Sequence, residues 1–450
     1  MRLESEFVVV GSGAGGATVA LELAKKGKEV LLIERGSVPS DDQIGLLRPA
    51  VFDFYDKCAL RTSEEGVIIY RALMAGGSTV VSCGNGVRVL EEDLKKRGID
   101  LTNEFEETEK DLKVAPLSEK LIGRGSRLIM NAGNKLGFEM KPMPKFVDSN
   151  KCISCGKCTL GCRVGAKWSA LNSIRIAQKY GVKFIKQLAV KSVVVHKGKA
   201  IGLVAKGVNE DVRIYAKKIV LCAGGIGTPV ILKKTGISNA GDKLFADFFN
   251  VTYGILRKEQ INLCNEPSMA VVSDKFLKNK GFMLAPFIDV PLVLRWIMSK
   301  RKQFKNFRHE NLLGIMAKTK DENVGKVTIR ERFEKIPNIE DHNRLNEGSS
   351  SARQILLEAG VKKRDIIFTK PRAAHPGGTA AIGEIVDENL ETEIKNLYVC
   401  DASVLPVSPG APPIVTIVAL AKRLAKRIAE DFSVTYKGKK KHSHVEGMLV

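Results

Sequence analysis

The sequence contains 450 residues, of which 44% are hydrophobic and 27% are charged. This balance is ordinary for a folded protein and excludes disordered and collagen-like chains. Lys and Arg number 72 against 50 Asp and Glu, so the formal net charge is +22. Such a charge attracts nucleic acid, anionic lipid or an acidic protein. Aromatic residues make up 6% of the chain and no nucleic-acid-binding motif is present, so we expect no nucleic-acid partner.

The N-terminus and the cysteines indicate the compartment. The first strand-like run begins at Phe7, which leaves Met1 to Glu6 as a leader too short for a signal peptide. Four of the nine cysteines lie between Cys152 and Cys162, which is not the pattern of a secreted disulfide framework. We therefore expect a cytoplasmic protein in a reducing compartment.

One apolar segment and two basic runs raise the question of a membrane surface. Phe282 to Met298 is apolar, but two prolines, Asp289 and Arg295 interrupt it, so it does not resemble a spanning helix. The basic runs are Lys300 to His309 and Lys437 to His444. These features predict either a peripheral contact with the inner face of the membrane or a pocket wall followed by a solvated basic helix.

The N-terminal segment has the pattern of one βαβ unit. Phe7 to Val10 is an apolar, β-branched run that leads into the turn GSGAGG. Ala17 to Lys26 is helical in character, and Glu29 to Ile33 predicts a second strand. A strand, a glycine turn, a helix and a strand in this order predict a dinucleotide-binding sheet.

Each glycine of the turn has its own role in binding a dinucleotide. Gly11 makes the tight turn, Gly13 lets a pyrophosphate approach the backbone, and Gly16 lets the helix pack closely on the strand. Glu34 ends the second strand, where an acidic side chain accepts hydrogen bonds from the adenosine ribose. An acid at this position disfavours NADP.

A late segment favours FAD over NAD. Leu397 to Val404 reads as a short buried strand that contains Asp401, placed to bond the ribityl or pyrophosphate part of an extended flavin. Strand patterns at Val182 to Ile185, Ala189 to His196 and Lys218 to Cys222 return the chain to the same sheet. The cofactor domain is therefore expected to be discontinuous.

The predicted fold is α/β: a Rossmann-like FAD-binding domain, discontinuous in sequence, with a β-sheet substrate domain and a Cys-rich inserted loop. The expected limits are 1–90, 181–238 and 370–432 for the three parts of the FAD-binding domain, 91–180 for covering helices and the Cys-rich insert, 239–369 for the substrate domain, and 433–450 for a basic tail.

Five segments carry a family resemblance. They are GSGAGG from Gly11 to Gly16 with Glu34, AGGST from Ala75 to Thr79 with Asn85, CAGGIGTP from Cys222 to Pro229, HPGGT from His375 to Thr379, and YVCDASVLP from Tyr398 to Pro406. In this order they resemble the motifs of the glucose-methanol-choline (GMC) oxidoreductase family, and most closely those of its cholesterol oxidases and long-chain alcohol oxidases.

The resemblance implies a set of flavin-binding residues. They are Gly11, Gly13, Gly16, Glu34, Gly76, Gly77, Ser78, Asn85, Val190, Asp401, Ala402 and Pro413. Within this set, Val190 is expected to offer backbone atoms to adenine and Asp401 to hold the ribityl chain. The segment after Pro413 is expected to point a helix N-terminus at the flavin ring, where it would stabilise negative charge.

The resemblance also implies the base of an alcohol oxidation. His375 matches the family's catalytic histidine, and an imidazole suits this role because its pKa lies near neutrality. The family usually supports this histidine with an asparagine or a second histidine in a late turn. Pro412 stands at that position here and has no side-chain group that can donate or accept a hydrogen bond.

Four cysteines form a second candidate site. Cys152, Cys155, Cys158 and Cys162 have the C-x2-C-x2-C-x3-C spacing of ferredoxin-type iron-sulfur ligands. We expect a cluster, most simply 4Fe-4S, that passes electrons from the flavin to a redox carrier protein. Zinc, or reduced cysteines with a structural role, are the alternatives. Long-chain alcohol and cholesterol oxidases carry a similar stretch, so the spacing alone does not establish a cluster.

The leading hypothesis is an FAD-dependent dehydrogenase that oxidises a lipophilic alcohol, with His375 as the base and the cluster as the electron exit. A second hypothesis reverses the flow and reduces an unsaturated or carbonyl lipid, because the usual partner of the histidine is missing at Pro412. A third is a lipid carrier without enzymatic activity on a flavoprotein-like scaffold.

Overall fold

The computed structural model of the chain describes residues 2–40, 43–45, 67–207, 211–257, 259–291, 293–294 and 308–440, and only the backbone of 431–440. The described helices are α1 Ala14–Lys25, α2 Glu91–Lys95, α3 Thr102–Leu112, α4 Arg124–Lys135, α5 Ala170–Lys179, α6 Gly224–Thr235, α7 Ile339–Glu358 and α8 Ile414–Lys440. The described strands are β1 Arg2–Val10, β2 Val30–Ile33, β3 Ile69–Tyr70, β4 Ala115–Pro116, β5 Lys141–Pro142, β6 Pro144–Lys145, β7 Lys183–Ile185, β8 Ala189–His196, β9 Lys199–Lys206, β10 Asp211–Leu221, β11 Phe248–Ile255, β12 Val271–Val272, β13 Phe282–Pro286, β14 Leu312–Thr319, β15 Lys326–Val327, β16 Phe333–Glu334, β17 Ile366–Phe368, β18 Arg372–Ala374 and β19 Leu397–Val399.

Two large sheets organise these strands. The first has the order β7-β2-β1-β10-β9-β8, and β19 pairs with β10 beside this path. Strands β7, β2, β1, β10 and β19 all run parallel to one another, whereas β9 pairs antiparallel with both β10 and β8. The second sheet has the order β13-β14-β11-β18-β3, with β17 also on β11. The α/β fold with a discontinuous nucleotide-binding sheet is confirmed.

The second sheet takes strands from three parts of the chain. Strands β11, β13, β14 and β17 lie within 239–369, where a substrate domain was predicted. Strands β3 and β18 pair with each other and join this sheet from outside that range. The sheet therefore connects β3, which precedes α2, to β18, which ends next to the predicted base His375. The remaining domain limits stay a prediction.

The first strand is longer than the sequence pattern indicated. Arg2 begins β1, where we expected a leader as far as Glu6. The register joins Arg2 to Arg213 and Ser5 to Ala216. Strand β10 is long enough to pair with these polar residues, and an apolar pattern does not reveal such a partner. Helix α1 begins at Ala14, three residues before the expected start, and packs on α5 and α8.

The segments considered for membrane contact are only partly described. The apolar segment at 282–298 starts with β13, and its residues 292 and 295–298 lie outside the described residues, as does 300–307 of the first basic run. Helix α8 continues to Lys440, past the expected start of the tail, and 441–450 lie outside the described residues. Among the described helices, none has the length and apolar character needed to cross a bilayer.

A buried ion pair supports the start of the second sheet. Lys335 and Asp321 are both fully buried, and Lys335 Nζ lies 2.8 Å from Asp321 Oδ2. The Asp321 carboxylate accepts hydrogen bonds from the backbone N–H groups of Ala246 and Asp247, at 3.0 and 2.8 Å. The ion pair thus fixes the chain just before β11. Removing one partner of such a pair leaves an uncompensated buried charge.

We predict that Lys335→Met destabilises the protein by about 3–5 kcal/mol, because the buried Asp321 carboxylate loses its counter-ion. Urea unfolding measures the effect. Lys326→Met is the matched control, since Lys326 is exposed and its replacement should change the free energy of unfolding by less than about 0.5 kcal/mol. Equal stability of the two variants would show that the buried pair does not support the sheet.

Candidate active site

A cavity of about 930 Å³ is lined by residues of both sheets. Its volume falls within the range of about 300–1,000 Å³ that is typical of ligand sites. The glycine-rich turn between β1 and α1 lines it, as do Phe249 and Met316 of the second sheet and Phe287, which follows β13. The cavity has one lining suited to a nucleotide and another suited to an apolar molecule.

The three glycines of the first turn differ in what surrounds them. Gly11 has φ 97°, and a Cβ there would lie 2.2 Å from the carbonyl oxygen of Cys222. A Cβ at Gly16 would lie 1.8 Å from the carbonyl oxygen of Gly11, so this glycine lets helix and strand pack closely. A Cβ at Gly13 would meet no atom within 4 Å, although Gly13 lines the cavity. The backbone at Gly13 is therefore open to a ligand, which fits a bound pyrophosphate.

Glu34 lies at the edge of the cavity and is held by the same turn. Its Oε2 accepts hydrogen bonds from the backbone N–H and hydroxyl of Ser12, at 3.0 and 2.7 Å. Its Oε1 accepts one from the Gly36 N–H at 2.8 Å. The two Ser12 donors occupy both lone pairs of Oε2, whereas Oε1 keeps a second lone pair that can accept from a ribose hydroxyl. The position fits the predicted ribose contact.

Asp401 is engaged by the protein itself. Its Oδ2 accepts hydrogen bonds from Gly224 N and Thr228 Oγ1, at 2.8 and 2.6 Å, and Oδ1 accepts from Ser403 N at 2.7 Å. Burial raises the pKa of this carboxyl group, while these hydrogen bonds oppose the rise. Asp401 thus joins the turn before α6 to the turn after β19. Its contact with the ribityl chain stays a prediction.

The other predicted flavin-binding residues fall into two groups. Gly16 and Gly76 do not line the cavity. Gly76 instead donates its N–H to Ser12 Oγ at 3.1 Å, which holds the glycine turn in place. Those that line the cavity are Gly11, Gly13, Glu34, Gly77, Ser78, Asn85, Val190, Asp401, Ala402 and Pro413. Helix α8 begins at Ile414, which also lines the cavity, so its N-terminus lies at the cavity wall as expected.

His375 lines the cavity and contacts a carboxylate that the sequence analysis missed. Its Nδ1 lies 3.1 Å from Oδ2 of Asp247, which is fully buried. Both residues have a left-handed backbone, with φ 73° for His375 and 50° for Asp247. Residues other than glycine adopt this conformation at a cost and often do so at active sites. The imidazole keeps Nε2 as the ring nitrogen available to a ligand.

A buried lysine lies beside this pair. Lys318 lines the cavity, and its Nζ is 3.7 Å from Asp247 Oδ2 and donates to the Asp247 carbonyl oxygen at 3.3 Å. Burial and the positive charge of Lys318 lower the pKa of His375, and Asp247 opposes this effect. Burial also lowers the pKa of Lys318. The surroundings favour a neutral imidazole, which is the form that can act as a base.

A second ion pair includes Asp289, which lines the cavity. Asp289 receives two hydrogen bonds from Arg372, at 2.7 and 2.8 Å, and one from the Tyr253 hydroxyl at 2.7 Å. Arg372 also lies over the ring of Phe249, 5.0 Å from its centroid. The charge of Asp289 at the cavity wall is therefore matched by Arg372 within the protein.

The four-cysteine loop forms part of the cavity wall. Cys158–Leu160 is a turn of 3-10 helix, and Thr159 and Leu160 line the cavity. Lys167 Nζ donates to the carbonyl oxygens of Val80 and Cys158, both at 2.9 Å, and also to that of Ser82. This ammonium group connects the loop to the segment that follows Gly77.

The structure does not support the predicted iron-sulfur cluster. Within the described residues, which include this whole loop, no three His, Cys, Asp or Glu side chains come close enough to hold a metal ion. Cys152, Cys155, Cys158 and Cys162 are free thiols that do not converge on a centre. The loop is instead packed against the rest of the protein: Gly156 lies against the Cys264 carbonyl, which a Cβ would approach to 1.7 Å, and Thr159 and Leu160 line the cavity.

The fold and the cavity define a dinucleotide-dependent oxidoreductase, and the comparisons identify its family. Residues 5–248 match the model of the N-terminal domain of GMC oxidoreductases, and residues 322–421 match that of the C-terminal domain. The chain belongs to the GMC oxidoreductase family. Membership supports FAD as the cofactor and confirms the resemblance seen in the five motifs.

Relatives match over nearly the whole chain. An uncharacterized protein of Methanocaldococcus jannaschii is 33% identical over 94% of this chain and 99% of its own length. The long-chain-alcohol oxidase FAO1 of Arabidopsis thaliana is 23% identical over 95% of this chain and 67% of its own length.

Two solved structures share the fold. Pyridoxine 4-oxidase from Mesorbium loti has a TM-score of 0.69 at 16% identity and covers 95% of this chain and 99% of its own. Formate oxidase of Aspergillus oryzae has a TM-score of 0.72 at 14% identity and covers 96% and 99%. At these identities the likeness concerns the fold alone.

We predict that Gly13→Ala weakens FAD binding by at least roughly tenfold, because the added methyl group occupies the space open to the pyrophosphate. Flavin content and FAD titration of the apoprotein measure the effect, and thermal unfolding of the apoprotein should not change. Lys26→Ala is the control, since Lys26 is exposed at the C-terminal end of α1 and does not line the cavity. Full flavin content in Gly13→Ala would contradict this placement of the cofactor.

Proposed function

We propose that the protein oxidises a neutral, lipophilic alcohol to a carbonyl compound, with FAD as the hydride acceptor and His375 as the base. The observation that carries this proposal is the position of His375. Its ring lines the same cavity as the glycine turn, its Nδ1 is occupied by Asp247, and Lys318 favours its neutral form.

The lining of the cavity supports a neutral and apolar substrate. Phe249, Met269, Phe287 and Met316 contribute apolar side chains. The charges beside them are paired within the protein, since Lys318 faces Asp247 and Arg372 binds Asp289. A carboxylate or ammonium substrate would disturb these pairs at the cost of desolvation. The likeness to long-chain-alcohol oxidases of Arabidopsis thaliana agrees with a lipophilic alcohol.

The residues of the cavity divide the work of the reaction. Bound FAD supplies a two-electron acceptor for the hydride that leaves the carbinol carbon. His375 takes the hydroxyl proton at Nε2, so the alcohol loses one proton and one hydride and becomes a carbonyl compound. The N-terminus of α8 stabilises negative charge that arises at the cavity wall. Phe249 and Phe287 hold the apolar part of the substrate and exclude water.

The electrons then pass to an external acceptor. A redox carrier protein and dioxygen are the two candidate acceptors, and turnover in air compared with turnover on an anaerobic dye distinguishes them. The formal charge of +22 favours an anionic lipid surface, where lipophilic alcohols partition. We place the enzyme in the cytoplasm with access to that surface.

We predict that His375→Gln keeps its flavin but slows anaerobic flavin reduction by 1-dodecanol about 10²–10⁴-fold, because no base remains for the hydroxyl proton. Stopped-flow absorbance of the bound flavin measures the rate. His342→Gln replaces an exposed histidine on α7 and should react like the wild type. Near-normal reduction of His375→Gln would remove His375 from the mechanism.

The pH dependence of flavin reduction provides a separate prediction. Imidazole accepts a proton only above its pKa, and burial and Lys318 lower that pKa from 6.5 in His375. The rate should therefore stay high to pH values below 6.5 and then fall. In Lys318→Met the pKa rises because the repelling cation is gone, so the inflection moves to higher pH. An inflection that stays in place, or moves to lower pH, would contradict the role of Lys318.

A further inference from the structure

Asp247 joins the histidine to the late turn that precedes Pro412. One oxygen of its carboxylate, Oδ2, faces Nδ1 of His375 at 3.1 Å. The other, Oδ1, accepts hydrogen bonds from Ser408 Oγ at 2.6 Å and from the Gly410 N–H at 3.0 Å. The carboxylate is fully buried, so these partners replace water. Side chains and backbone of the protein therefore fix the orientation of this carboxylate.

The two oxygens of this carboxylate are not equivalent. A peptide N–H can only donate, so Gly410 requires an acceptor at the position of Oδ1. Lys318 lies 3.7 Å from Oδ2, where its charge compensates the carboxylate without a hydrogen bond to that oxygen. Oδ2 is therefore the oxygen left for the imidazole. An ionised carboxylate can only accept, so Nδ1 of the neutral ring carries the proton.

We propose that Asp247 is the positioning residue of His375: it accepts a hydrogen bond from Nδ1–H, fixes the tautomer with an unprotonated Nε2, and holds the ring at the cavity wall. This role rests on the proposed alcohol oxidation. In this arrangement the late turn supports the histidine indirectly: Ser408 and the Gly410 N–H hold Asp247, and Asp247 holds the imidazole. The side chain at Pro412 is then not needed to hold the histidine.

The backbone of Asp247 is fixed as firmly as its side chain. Its N–H donates to Asp321 Oδ1 at 2.8 Å, and its carbonyl oxygen accepts from Lys318. The left-handed conformation at both Asp247 and His375 persists because such contacts determine it. A carboxylate held in this way does not need to move when the imidazole takes up a proton, and this rigidity is what a positioning residue requires.

The variant Asp247→Asn tests the tautomer directly. The Gly410 N–H retains the amide oxygen at the Oδ1 position, so the amide NH2 occupies the Oδ2 position and donates to Nδ1. The histidine then carries its proton on Nε2 and cannot accept one from the substrate. In the flavin-loaded enzyme we expect 1-dodecanol to reduce the flavin about 10²–10⁴-fold more slowly, with little change in the apparent affinity for the alcohol.

Nitrogen-15 NMR of histidine-labelled enzyme supplies a readout that does not depend on turnover. The His375 signals are assigned by their loss in His375→Gln. We expect Nδ1–H in the wild type and Nε2–H in Asp247→Asn. Asp365→Asn is the matched control, because Asp365 is also a buried carboxylate but binds Arg257 away from the cavity. It should keep both the wild-type tautomer and the wild-type rate.

The outcomes separate this role from the proposed function. If His375→Gln is inactive while Asp247→Asn keeps the wild-type rate and tautomer, Asp247 is not a positioning residue and the proposed function stands. If His375→Gln itself reacts normally, the proposed function is contradicted, because the alcohol oxidation does not then depend on His375. Should Asp247→Asn lose its flavin, Ser408→Ala removes one anchor of Oδ1 and should slow reduction roughly tenfold. A wild-type rate in that variant overturns the role of the late turn.

Discussion

The parallel pairing of β10 with both β1 and β19 is the constraint on which the cavity depends. It places the carboxyl ends of three strands, at Val10, Leu221 and Val399, side by side although they are far apart in the sequence. Ligands of parallel α/β sheets bind at such an edge. The turns that follow these strands touch through glycines: a Cβ at Gly15 would come within 1.9 Å of the Cys400 carbonyl oxygen. One sheet edge thus gathers all three cofactor segments.

Buried ion pairs stabilise the geometry of the second sheet. Lys318 of β14 pairs with Asp247, and Arg372 of β18 pairs with Asp289. The pair of Lys335 with Asp321 lies outside the strands of this sheet and holds the chain that enters β11. Buried ion pairs contribute little net stability, since desolvation offsets their attraction. Their value here is geometric, because each pair fixes the chain at or next to the end of a strand of this sheet. The absent late-turn partner at Pro412 was the reason to consider a reductase, and Asp247 weakens that reason.

The sequence predicted the cofactor side of the molecule well because its signals are local. The glycines, Glu34 and the strands β8 and β19 follow from patterns within a few residues, and the family motifs added His375. Asp247 and Lys318 were missed, since their contacts with His375 and with each other span 57 to 128 residues. A charged residue inside an apolar strand, as in LLGIMAKT, was the available signal. The cysteine spacing suggested a cluster, but spacing gives only the positions of the thiols along the chain. It does not show whether the folded loop brings the four sulfur atoms to one centre.

Anaerobic mixing of the flavin-loaded enzyme with 1-dodecanol, unlabelled or deuterated at the carbinol carbon, tests the central claim most directly. The account predicts that the alcohol bleaches the bound flavin and that deuterium slows the bleaching, because the carbinol hydrogen leaves as hydride. If no alcohol reduces the flavin, and the chemically reduced enzyme is instead reoxidised by an unsaturated or carbonyl lipid, the direction proposed here is contradicted and the enzyme is a reductase.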